Sequence, residues 1–146
     1  MTKKETFEQV NKQIANWSVL YVKLHHYHWF VTGENFFTLH EKFEELYNEA
    51  AKNVDQIAER LLQLGGKPVS TMKQFLDSAT LQEAGKEKAS REMVEQLVKD
   101  FETIKKESQD LTEVLEEAGD NVTADMFVDI REAINLHLWM FKAYLD

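Results

Sequence analysis

The 146 residues carry 26 acidic against 17 basic side chains, a formal charge of −9. That charge opposes tight binding to a phosphate backbone and suits a protein that handles cations. The absence of cysteine removes disulfides, thiolate zinc sites and cysteine nucleophiles, and fits a reducing cytoplasm. No apolar run approaches the ~20 residues of a membrane span, and Met1 to Thr6 lacks the apolar stretch of a signal peptide. One proline, five glycines and 43% apolar residues point to a single all-α domain over 1–146.

The first predicted helix runs from about Lys4 to Val31, with Phe7, Val10, Ile14, Trp17, Tyr21, Leu24 and His28 at helical spacing on one face. A break at Thr32-Gly33-Glu34-Asn35 leads into a second, from about Phe36 to Leu64, stopped by Gly65-Gly66 with Pro68 beyond. The stretch from Gly65 to Ala89 is too long for bare loop. Within it Met72 to Leu76 reads as a short helix capped by Ser70 or Thr71. A third long helix covers about Ser90 to Ala118 and closes at Gly119; a fourth runs from about Val122 to Tyr144. The two short connections join antiparallel neighbours. The long middle one is a crossover between two hairpins, which makes a ferritin-like four-helix bundle with a short extra helix in the crossover.

Four residues of metal-ligating type stand out on the first hairpin: His28, His40, Asp55 and Glu59. His28 and His40 lie about equally far from the turn, so they meet at one level. Asp55 lies 15 residues past His40, which at ~1.5 Å per residue is ~22 Å along the axis. No ion spans that gap, so a site using both pairs needs the acids of another chain. Packing the second helix antiparallel on its own copy keeps the sum of facing positions constant. One such register pairs His40 with Glu59, Glu44 with Asp55, and Asn48 with Ala51 at the crossing, giving two equivalent sites per dimer. His40, Glu44, Tyr47, Ala51, Asp55 and Glu59 share one stripe, displaced by ~100–130° from the apolar stripe of Phe43, Leu46, Ala50, Val54, Ile57, Leu61 and Leu64. The inward Glu-x-x-His pairs of di-iron carboxylate bundles are absent from the chain.

Each residue also has a plainer reading. His28 on an apolar stripe could be a buried, hydrogen-bonded histidine. Asp55 and Glu59 at i, i+4 could be a solvated face, with Arg60 close enough to compete for either. The shared symmetry and the matched level of the histidines favour metal. His25, one turn before His28, and Trp29, beside it, are candidate outer residues around the site. His137 lacks a nearby acid and reads as structural. Asp120, Asp125 and Asp129 crowd a helix N-terminus. Capping explains Asp120 well and explains Asp125 and Asp129 less well, since they continue down one face; in a ring of three copies Asp120, Asp125 and Asp129 would line an acidic cation pore.

The segments His28-Trp29-Phe30, Asn35 to Phe43, Asp55 to Arg60, Leu64-Gly65-Gly66, Asp120 to Asp129 and Trp139 to Ala143 resemble the Dps family of mini-ferritins in order and spacing. The resemblance covers essentially the whole chain. It implies a dodecameric shell built from two-fold dimers and a di-iron ferroxidase centre shared between two subunits, with His28 and His40 from one and Asp55 and Glu59 from its mate. It implies oxidation of Fe(II), commonly with hydrogen peroxide, and storage of Fe(III) mineral, which protects against oxidative damage. Two departures matter. The family often has Asp four residues after the second histidine, where this chain has Glu44, a possible further ligand. Members that condense DNA often carry a lysine-rich tail, and here only Lys3 and Lys4 precede the first helix, so DNA binding is not expected. The rival readings are a non-enzymatic nucleoid-binding stress protein and a helical interaction protein without metal.

Overall fold

The computed structural model describes all residues, 1–146. Five helices and no strand form: α1 (Lys3–Phe30), α2 (Phe36–Gln63), α3 (Met72–Ser78), α4 (Ser90–Glu117) and α5 (Asn121–Leu145). The caps explain the boundaries. Thr2 and Glu5 satisfy each other's backbone N–H groups at the start of α1, and Thr71 with Gln74 does the same for α3. At the end of α2, Gly65 sits at φ +89 while the Gly66 N–H bonds the Leu61 carbonyl and the Gly65 N–H that of Leu62. This is the Schellman pattern, which needs a left-handed residue. Gly119 at φ +80 ends α4 in the same way, which brings Asp120 round to cap α5.

Helix α1 packs chiefly on α2 and α4 chiefly on α5, with α1 also touching α3 and α4. The core between them holds Trp17, Leu24 and Tyr27 from α1, Phe43 and Ile57 from α2, Phe101 from α4 and Phe127 from α5. One face of α1 is not enough to describe its burial. Gln13, Ile14, Ala15, Asn16 and Trp17 are all buried, because the crossover covers the back of the helix. Polar side chains hold it there. The Asn16 amide receives the N–H groups of Thr80 and Leu81 at 2.8 and 3.2 Å and donates to Glu107 at 3.0 Å. Asn11 brackets the chain at Lys67 and Val69. Farther along, Lys23 and Asp100 form a buried ion pair at 2.8 Å. Burial pushes the Asp100 carboxyl above its ordinary value, although Lys23 pulls the other way. Such a pair is costly to break because either partner alone is a stranded charge.

Tyr21 departs from the expectation that it faces the core: it is 37% exposed. It lies on the flank of α1 nearest the ligand-type stripe of α2, edge-on to Tyr47 with ring centroids 6.1 Å apart. The same flank is apolar and open. Val22 and Met72 are 52% and 72% exposed, and with Ala51, Val54 and Phe75 they line a groove of about 310 Å³. No helix is long and apolar enough to cross a membrane.

Candidate metal centre

His28 stands in the last turn of α1 and His40 near the start of α2. The short turn between these helices folds them onto one level. Their rings stack with centroids 3.7 Å apart and planes 14° apart. Each Nδ1 lies against the other residue's backbone oxygen, His28 on His40 at 2.6 Å and His40 on His28 at 2.7 Å. A carbonyl can only accept, so each Nδ1 carries a proton and donates it. In the neutral rings this fixes the tautomer and leaves both Nε2 lone pairs free, the arrangement expected of histidines that ligate through Nε2. His28 is 7% exposed, so its ring is held by protein rather than by solvent.

Glu44, one turn beyond His40, closes the open side. Its Oε1 is 3.8 Å from His28 Nε2 and accepts a 3.4 Å hydrogen bond from the Tyr47 hydroxyl. Burial, then the Glu44 charge and this bond, raise the Tyr47 phenol above its ordinary value, so it stays a donor. The place of Tyr47 on the ligand-type stripe does not by itself reveal this role. Its spacing of three from Glu44 was the available signal.

His25 does not point at the histidine pair. Its Nδ1 donates to the Tyr21 carbonyl at 2.9 Å, and its ring stacks on Tyr47 at 3.7 Å with planes 16° apart. Trp29, 66% exposed, packs beside His25 at 5.3 Å.

Asp55 and Glu59 are exposed on α2 and take part in no ion pair within the chain. The neighbour suspected of competing for them is engaged elsewhere. Arg60 donates through Nε to Thr123 at 2.8 Å and through Nη1 to Gln63 at 2.9 Å, and its Nη2 lies 3.4 Å from Asp120. The fold therefore gathers His28, His40 and Glu44 and leaves Asp55 and Glu59 apart from them. No three ligand-type side chains of one chain converge tightly enough to hold an ion.

Comparison with known proteins gives the same family throughout. Residues 7–146 match the ferritin-like domain family. The chain is 50% identical over 141 residues to general stress protein 20U of Bacillus subtilis, covering 97% of each. It is 46% identical to DNA protection during starvation protein 2 of Bacillus anthracis, covering 98% of each. The crystal structure of Dps from Staphylococcus aureus superposes with a TM-score of 0.96 at 46% identity, over 99% of this chain and 97% of that one. The chain belongs to the Dps family.

The acids at the start of α5 divide in this Dps chain. Asp120 caps the helix, accepting from the Thr123 N–H at 3.1 Å and from its hydroxyl at 2.6 Å. Burial alone would raise its carboxyl. The Thr123 hydrogen bonds and the Arg60 charge outweigh that and hold it below the usual carboxylate range. Asp125 and Asp129 are exposed. They share a polar depression of about 380 Å³ with Glu59, Arg60 and Gln63 of α2, so the acids at the tip of α5 open onto the same surface as a ligand-type acid of α2. His137 corrects the sequence reading. It does have an acid: Glu49 Oε2 is 2.7 Å from its Nε2. The two are far apart in sequence and meet because α5 lies alongside α2. They tie those helices together away from the histidine pair.

Proposed function

We propose that this Dps protein oxidises Fe(II) at centres shared by two chains and stores the Fe(III) as mineral inside a shell of such dimers. The observation that carries this reading is the His28–His40 pair. Both Nδ1 protons are spent on backbone oxygens, which leaves both Nε2 atoms free, that of His28 beside the Glu44 carboxylate. Imidazole with carboxylate suits Fe(II). The second half of each site is the partner's Asp55 and Glu59, which in the present chain face outward with no cation to neutralise them. The open apolar groove around Ala51 supports the same two-fold contact, since the register that pairs His40 with the partner's Glu59 places Ala51 beside the axis. In the reaction two Fe(II) ions give one electron each to hydrogen peroxide, which takes up two protons and leaves as two waters. Both Fenton reactants are consumed in that step. A dodecamer is the shell this reading takes from its family.

Anaerobic titration of the assembled protein with Fe(II), followed by addition of peroxide, tests the reading. Saturable binding near one or two Fe(II) per chain and rapid oxidation of the bound ion are expected. Absence of binding at these ratios would favour an interaction protein without metal.

Iron entry is assigned to Asp125 and Asp129 around a pore between copies, with Asp120 chiefly a cap. Repeated carboxylates at one mouth concentrate Fe(II) electrostatically. Asp125→Asn with Asp129→Asn keeps the size and removes the charge. Mineral growth is then expected to slow several-fold at low salt, with the difference shrinking as exposed charges are screened over ~8 Å at physiological ionic strength. Normal mineral growth at low salt in the double variant would leave capping and solvation as the whole role of these acids.

Relatives are named for DNA protection. For this chain we assign protection to the removal of iron and peroxide. Its formal charge of −9 leaves little counterion release to be gained on duplex DNA. No retarded band is expected in a gel shift at pH 7–8 and ordinary salt. A tight, salt-sensitive complex would support the nucleoid-binding alternative.

A further inference from the structure

The side chains around Glu44 form a chain of fixed contacts that the centre described above does not require. The His25 Nδ1–H is tied to the Tyr21 carbonyl at 2.9 Å. That fixes the imidazole plane, and Tyr47 lies flat upon it at 3.7 Å. Tyr21 and His28 present their rings edge-on to Tyr47 at 6.1 and 5.4 Å, with planes 84° and 88° apart. A phenol ring has few rotatable bonds, and one bracketed on a face and at its edges has little freedom left. Its hydroxyl is consequently aimed, and it is aimed at Glu44 Oε1. Glu44 itself needs such a fixture. It is 53% exposed, and it has one more side-chain torsion to freeze than an aspartate at the same position.

We propose that Tyr47, braced by His25, is a positioning residue that holds the Glu44 carboxylate beside His28 Nε2, so that Glu44 joins His28 in holding Fe(II). The proposal rests on the iron-oxidising reading above. The hydrogen bond at 3.4 Å is long, which suits a holder that orients the carboxylate yet releases an oxygen to an arriving cation. It also gives a physical use to the longer side chain. An aspartate at position 44 would stop short of the Tyr47 hydroxyl and would depend on other contacts. His25 acts two contacts away from the metal, through the ring of Tyr47.

Anaerobic Fe(II) titration of the assembled protein distinguishes this from a merely structural role. Tyr47→Phe keeps the ring and removes only the hydroxyl. It is expected to weaken Fe(II) binding by about fivefold, the scale of one exposed hydrogen bond to a charged group. In a Glu44→Asp background the same change is expected to have no further effect, because the shorter carboxylate does not reach the hydroxyl. His25→Ala should reproduce the loss seen in Tyr47→Phe, and His25→Phe, which restores a flat surface under Tyr47, should recover it. Wild-type affinity in Tyr47→Phe overturns the proposal, as does an equal loss from that change in the Glu44→Asp background. Wild-type affinity in His25→Ala removes the bracing role. Failure of the parent reading looks different: the unaltered protein would then bind no Fe(II) stoichiometrically, or would bind it equally well without His28 and His40.

Discussion

On the proposed iron-oxidising reading, replacing His28 and His40 together by glycine is expected to lower the rate of peroxide-driven Fe(II) oxidation by ~100-fold or more, at or beyond the upper end of what loss of an outer partner of a metal ligand costs. Both nitrogen donors offered by one chain disappear, and the remaining carboxylates hold Fe(II) only weakly. The protein itself survives. Each ring contributes one hydrogen bond to a backbone oxygen, worth about 1 kcal/mol, and each glycine costs about another in a helix. The hydrophobic cluster below does not include either ring. Stopped-flow absorbance of the ferric product, together with size-exclusion chromatography, separates the two effects. A rate unchanged from the parent protein, in an assembly of normal size, would remove these histidines from the centre.

The helices were legible because their signals are local. Gly65-Gly66 and Gly119 mark ends that need left-handed backbone, and α2 carries an apolar stripe of clear helical period. The ends of all four long helices fall within a residue or two of the expected positions. Helix α1 was legible in extent but not in burial. Its polar residues Asn11, Gln13 and Asn16 carry no local sign of their roles: Asn11 and Asn16 clamp the crossover, and Gln13 donates to Glu107 of α4. Lys23 and Asp100 are hidden for the same reason, since each is an ordinary surface residue until α1 and α4 are brought together.

The candidate site divides along the same line. That His28 and His40 share a level follows from their distances to one turn. That each donates to the other's backbone does not, because it depends on how closely the two helix ends approach. The engagement of Arg60 by Thr123 and Asp120 and of His137 by Glu49 requires α5 to be placed against α2. Spacing on one helix could not supply that. Glu44 and Tyr47 were adjacent on the stripe from the start, and the ring of His25 is what makes their contact specific.

Shared centres carry the second large effect. A chain lacking both acids, Asp55→Ala with Glu59→Ala, is expected to be as defective as the chain lacking both histidines, since each removes one half of every site in its own assembly. Mixed dimers differ. When one chain lacks the histidines and its mate lacks the acids, both lesions fall on the same site. The other site then holds the intact histidines of one chain and the intact acids of its partner. Random pairing of equal amounts makes about half of the dimers mixed, each with one whole site, so roughly a quarter of the wild-type sites return. Neither parent variant can do this alone, and two sites confined within single chains could not do it in any mixture.

The decisive measurement is therefore the rate of peroxide-driven Fe(II) oxidation after the two variants are dissociated, mixed in equal amounts and reassembled. The same procedure is applied to each variant alone, and reassembly is verified by size. Recovery to about a quarter of the wild-type rate in the mixture, with both controls inactive, is the result expected of a centre built across a two-fold axis. A fully reassembled mixture as inactive as its parents would contradict it.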